Sequence, residues 1–303
     1  MKNQLFTILI GILCFSCATN PFTGKKTMAF MPNSQLLPMA FAEYDKFLSE
    51  NKVIKETPDA EMITRVGQRI SVAAERWLDA NNHQGYLKDY KWEYNLVDDE
   101  TVNAWCMPGG KIVFYTGILP IAENEAGVAA IMGHEVAHAL ANHGQQRMSA
   151  GMLQQAAAVG VVVATQEKSS SEQAMWMQAF AVGSSVGGML PFSRGHETEA
   201  DKIGLYLSAI AGYNPDEAAL LWERMKANSG GQGPPEFLST HPSNDSRIAN
   251  LKSLAPTAIA EANFSLSSKP IRMTPLPPVG KRLSSSSGNT NNLEPSDKQA
   301  TCF

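Results

Sequence analysis

His134, Glu135 and His138 stand in a His-Glu-x-x-His pattern, which is the arrangement in this chain best suited to chemistry. An apolar run from Ala126 to Met132 precedes it, and Gln145, Gln146 and Arg147 follow, with no Pro or turn cluster between. The stretch therefore reads as one helix. On a helix, His134 and His138 lie one turn apart and face the same way, with Cβ atoms about 5–6 Å apart. That is a two-imidazole grip for Zn²⁺, whose bonds to nitrogen are about 2.0–2.1 Å long. Glu135 sits beside the pair, where it can reach a water on the metal rather than the metal itself.

Two imidazoles are not enough for a catalytic zinc, which takes three protein ligands and keeps a fourth position for water. The stretch Ser193-Arg194-Gly195-His196-Glu197-Thr198-Glu199-Ala200-Asp201 offers the third. If it is helical, Glu197 and Asp201 share a face one turn apart. Glu197 can then bind the metal while Asp201 accepts the outer N–H of His134 and fixes its tautomer. Alone, such a charged run is ordinarily a solvated helix face; its pairing with His-Glu-x-x-His reverses that reading. A metzincin pattern fails on spacing, because Ala141 stands where a Gly is needed and His143 comes one residue early. His143 is read as a supporting or surface residue, and His196 and His83 as bystanders.

These motifs together resemble the gluzincin peptidases, specifically metallopeptidase family 48, which includes HtpX-like and CAAX prenyl endopeptidase-like proteases and periplasmic lipoproteins. Further matches are Asn103-Ala104 ahead of Pro108-Gly109-Gly110, the Gln-Gln-Arg after the metal helix, and Thr240-His241-Pro242 with Arg247. The likeness runs from about Asn20 to Leu254. It implies that Glu197, not Glu199, is the third ligand, and that the chain is a zinc endopeptidase acting on misfolded or misassembled envelope proteins. Zinc would lower the pKa of its water from 15.7 to about 7, and Glu135 would take the proton and later deliver it to the leaving amine. His241 or Arg247 is the candidate partner for the oxyanion. In the family the His-Pro loop resembles one that also caps the metal, so His241 has two rival roles. A chaperone-like binding protein that retains a shut zinc site is the alternative. Trp105, Cys106 and Met107 depart from the smaller or aliphatic residues expected there and bear on substrate preference.

The elements that must position these residues follow from periodicity. Apolar residues at three- and four-residue spacing predict helices over 34–51, 59–81, 216–227 and 244–254. Alternation predicts a strand over 91–97. Two further runs, 103–107 and 111–117, joined by Pro108-Gly109-Gly110, predict a hairpin whose edge can hold an extended peptide. The apolar stretches 150–164 and 174–190 read as a helical hairpin packed on the domain or lying at a membrane surface. The expected fold is α+β, a mostly helical zincin-like domain with a small sheet or hairpin beside the active-site helix.

The 303 residues carry a net charge of −4, with no basic footprint for nucleic acid. Lys2 and the apolar run Leu5–Leu13 read as a leader over residues 1–16. A small residue before Cys17 resembles a lipobox, so the expectation is a lipid-acylated Cys17 and an outer membrane address facing the periplasm. With Cys14 leaving in the leader, Cys106 and Cys302 remain; an exported chain can pair them, and the preferred reading is two unpaired thiols. The expected organisation is a tether over 17–33, a metallopeptidase domain over 34–255 and a Pro/Ser-rich tail over 256–303.

Overall fold

The computed structural model describes residues 17–228, 236–242 and 245–267. The leader and most of the tail lie outside them. The fold is α+β and mostly helical, as expected. Strands β3 (Val53–Ile54), β4 (Glu93–Val97), β5 (Ala104–Met107) and β6 (Lys111–Tyr115) form one sheet in the order β3-β4-β6-β5. The Pro108-Gly109-Gly110 turn joins β5 to β6 antiparallel, with Gly109 and Gly110 at φ of +87° and +85°, values that glycine adopts without strain. Strand β4 enters parallel to β6.

Two helices pack first. Helix α1 covers Asn33–Glu50 and α2 covers Pro58–Ala80. Thr57 caps α2 by accepting the Ala60 N–H, Pro58 opens the first turn, and Asp59 and Glu61 suit the positive end of the helix dipole. Its apolar stripe, Ile63, Val66, Ile70, Ala73 and Ala74, is fully buried. Each branched side chain there contributes about 1.5–3 kcal/mol.

After the short α3 (Leu119–Ala122), helix α4 (Glu125–Leu140) carries His-Glu-x-x-His through the centre of the molecule. Asn124 caps it by accepting the Gly127 N–H at 3.0 Å. It is buried on every side, as a helix apolar all round must be. It does not run on through Arg147 as the sequence suggests. Asn142 adopts the left-handed conformation (φ 57°, ψ 34°) and α5 (His143–Ala164) starts anew in another direction. Asn tolerates this backbone better than other non-glycine residues, and its Nδ2 donates to Tyr86 Oη at 2.9 Å. Asn142→Val is expected to cost about 1–2 kcal/mol in urea unfolding; no loss would show that the break is set elsewhere.

Helices α5 and α6 (Ser170–Ser184) form the expected hairpin, but α6 buries no residue. Val159, Val163, Met175, Trp176 and Val182 are exposed, so the outer part is not packed on the domain. Among the described residues no helix is long and apolar enough to cross a membrane. A π-turn over Ser185–Met189 leads into α7 (Leu190–Ile210), followed by α8 (Asp216–Asn228) and α9 (Glu236–Thr240). The last helix, α10, spans Asp245–Ser267 and passes through Pro256, so it is longer than the expected 244–254. Burial of Ala255, Ala258 and Ala262 offsets the backbone hydrogen bond that Pro256 cannot donate.

The segment expected as a tether is docked. Strands β1 (Cys17–Thr19) and β2 (Lys26–Met28) pair antiparallel. Asn20 is buried between them, and Phe22 stacks on Trp77 with ring centroids 4.2 Å apart.

Candidate metal centre

Helix α4 and helix α7 cross in contact, and together with the loop after α9 they bring four donors together. His134 and His138 come from α4, Glu197 from α7, and His241 from the loop after α9. Their ligand atoms lie within 4.8 Å of one another and all four residues are buried. His134 Nε2 is 3.1 Å from His138 Nε2 and 3.1 Å from His241 Nδ1. Glu197 stands 3.3 Å from His134, 3.4 Å from His138 and 2.9 Å from His241. The corners of a zinc tetrahedron with bonds of about 2.0–2.1 Å are about 3.3 Å apart, so this donor set fits a single zinc-sized cation.

The electrostatics follow from burial and from crowded imidazoles. Burial alone would raise the Glu197 carboxyl, but His241 foremost, then His134 and His138, hold it well below the usual carboxylate range. Burial pushes the His138 imidazole well down, which favours the neutral form that binds metals. Burial also presses on His134, but hydrogen bonding to Asp201 and Glu197 outweighs it and lifts the ring to about 9. Metal binding at such a site is coupled to release of a proton.

Glu135 is 4 % exposed, and its Oε1 accepts no hydrogen bond; His241 Nε2 is 3.4 Å from it. Burial pushes its carboxyl up. Asp201 Oδ1 is 3.0 Å from His134 Nδ1. Arg247 grips Asp201 with Nε and Nη2, both at 2.7 Å, and lies over the Trp222 ring at 3.6 Å. Its Nη2 also stands 3.2 Å from Glu197. Arg247 is thus turned onto the carboxylates, and of the two oxyanion candidates His241 is the one beside Glu135.

Every residue singled out in the sequence for the metal site converges here. His196, expected as a bystander, is instead buried and stacked on His143 with centroids 4.1 Å apart. Glu199 and Asn20 belong to the same buried group, and only the long-range fold reveals them. Among the described residues Cys106 has no disulfide partner, Cys302 lying outside them, and burial raises its pKa well above the ordinary value, so it is held as a thiol rather than a thiolate.

Residues 68–255 match the model of peptidase family M48. The chain belongs to that family. M48 members are metallopeptidases, in keeping with the four donors. Mitochondrial metalloendopeptidase OMA1 of Schizosaccharomyces pombe is 38% identical over 57% of this chain and 49% of its own length. OMA1 of Homo sapiens is 27% identical over 84% of this chain and 49% of its own. Beta-barrel assembly-enhancing protease of Escherichia coli is 26% identical over 54% of this chain and 34% of its own. The chain thus spans about half the length, or less, of the curated relatives it matches. The OMA1 relatives are mitochondrial by name, which overturns the expectation of a lipid-anchored protein in a bacterial outer membrane. A short apolar run behind one Lys reports hydrophobicity and charge, not a destination.

Proposed function

We propose that the chain is a zinc-dependent endopeptidase in which His134, His138 and Glu197 hold the metal, Asp201 orients His134, and Glu135 is the general base. The observation that carries this reading is the convergence of four buried donors within 4.8 Å of one another. When bound, zinc supplies a Lewis acid and lowers the pKa of a coordinated water to about 7. Glu135 takes a proton from the attacking water and returns it to the leaving amine; a carboxyl raised by burial suits a group that must do both. His241 Nε2 offers a hydrogen bond to the developing oxyanion. Arg247 holds Asp201 in place.

Substrate binding follows from the sheet. Strand β5 is its edge, and the Tyr115 N–H bond to Asn103 sets the alternation that turns the backbone groups of Cys106 and the Ala104 carbonyl away from β6, while the Ala104 N–H is held by Asn103 Oδ1 at 2.9 Å. An extended polypeptide can add there by main-chain hydrogen bonds. That mode favours chains that are already unfolded, so misfolded or misassembled proteins are the proposed substrates.

A second reading is latency. His241 Nδ1 sits among the donors, 2.9 Å from Glu197, and as a fourth ligand it would fill the position that water needs. Elemental analysis and casein cleavage separate the possibilities. Wild type is expected to hold about one zinc per chain and to cleave casein, and Glu197→Ala to lose both. Zinc without cleavage, with cleavage gained on His241→Ala, would favour the latent form. Absence of zinc from folded wild type would overturn both.

A further inference from the structure

The two imidazoles on α4 are held from behind in different ways. His134 turns Nδ1 directly to a carboxylate, Asp201. His138 turns Nδ1 to the Nδ1 of another imidazole, His143, at 2.9 Å. His143 Nε2 is in turn 3.0 Å from Glu199 Oε2, and Asn20 Nδ2 donates to Glu199 Oε1 at 3.1 Å. The group is closed to solvent, with His143 at 0% exposure and Asn20 at 1%.

With the Nε2 lone pair of His138 turned to a metal, only one set of proton positions satisfies both contacts of His143. Two ring nitrogens in contact need one N–H and one lone pair. With Nε2 of His138 facing the metal, its proton sits on Nδ1 and is donated to His143 Nδ1. His143 then carries its own proton on Nε2, aimed at a carboxylate that can only accept. The reverse assignment sets a lone pair of His143 against Glu199 and puts the His138 proton among the metal donors. Both faults disappear in the first arrangement, with the two rings neutral and Glu199 ionised.

The helix break makes this possible. In an unbroken helix, residue 143 would lie about 140° round the axis from residue 138. The left-handed Asn142 turns His143 back beneath it, and His196 stacks on the ring with an interplanar angle of 12°.

We infer that His143, Glu199 and Asn20 are positioning residues for the metal centre, a carboxylate–imidazole–imidazole relay that fixes the tautomer of His138 with its Nε2 lone pair on the metal. The inference rests on the metal-centre reading above and extends it to the β1–β2 segment, which supplies Asn20. Replacing partners of this kind typically weakens metal binding 10–100-fold.

The test uses the full chain with Zn²⁺ and Co²⁺ as probes. Zinc affinity is read by competition with a chromophoric chelator. The exchangeable ring N–H protons of the Co²⁺-loaded protein are read by NMR, where the paramagnetic ion displaces them. Wild type is expected to show two such protons from the α4 imidazoles. His143→Phe is expected to lose the one from His138 and to bind zinc about 10–100-fold more weakly. His143→Asn, whose amide oxygen can stand in for Nδ1, is expected to recover it. A merely structural role would lower the melting temperature of the metal-free protein without removing one N–H selectively. Should His143→Phe not fold, Asn20→Ala carries the test through faster exchange of the same proton and several-fold weaker zinc. Unchanged affinity with both protons retained in a folded variant overturns the relay and leaves the metal centre standing. Wild type that binds neither metal overturns both.

Discussion

Glu135→Gln is expected to lower casein hydrolysis by about 10²–10⁴-fold while leaving zinc content and melting temperature unchanged. Glutamine keeps the shape of the side chain and its buried place beside the donors, so packing is preserved. What it lacks is a basic oxygen. The wild-type carboxylate has Oε1 without a hydrogen-bond donor in a site that is almost closed, and an orphaned buried acceptor is costly unless it has a task. Burial also raises the carboxyl, which brings it closer to the working range of a group that accepts a proton in one step and donates it in the next. Because Glu135 is not among the four converging donors, its variant should separate chemistry from metal binding, whereas Glu197→Ala should abolish both. The two are compared by zinc analysis and kcat on the same preparations. A Glu135→Gln protein that retains wild-type kcat would remove Glu135 from the mechanism.

The pairing of candidate donors on each helix is legible because helical spacing is local information. His134 and His138 are one turn apart, as are Glu197 and Asp201, and each pair needs only its own helix to share a face. The amphipathic helices α1 and α2 and the β5–β6 hairpin were legible for the same reason. What sequence alone could not supply was anything decided by a single unusual backbone angle or by a distant partner. Asn142 looks like an ordinary polar residue within a helical run, and nothing in the pattern announces its left-handed turn. With that turn hidden, His143 falls on the wrong face and His196 has nothing to stack on. Asn20 lies 179 positions from Glu199, a pairing that only the fold can make. The helix through Pro256 was missed because proline propensity is local, whereas the alanines that hold α10 against its neighbours gain their value only on packing.

Gly204→Ala is expected to destabilise the protein by about 1–3 kcal/mol and to weaken zinc binding, although it adds one methyl group. Helices α4 and α7 approach through glycines. A Cβ on Gly204 would stand 2.7 Å from the backbone N of His134 and 2.8 Å from the carbonyl carbon of Gly133. These are backbone atoms of the metal helix, so the helices themselves must move apart. Gly204 is seven residues, two turns, after Glu197, and a shift at the crossing is carried along the rigid helix to that carboxylate. A misplacement of about 1 Å in catalytic geometry can cost 10²-fold in rate, and a loss of roughly that size in casein cleavage is expected here. Gly160→Ala is the matched control. Nothing lies within 4 Å of a Cβ at that position on α5. There the substitution should stabilise by about 0.5–1 kcal/mol, because Ala loses less backbone entropy than Gly in a helix. Thermal melting of the two variants is expected to shift in opposite directions for the same chemical change, and chelator competition to show weaker zinc binding for Gly204→Ala alone. If Gly204→Ala melts and binds zinc as wild type does, the close helix crossing is not what sets the spacing of the ligands.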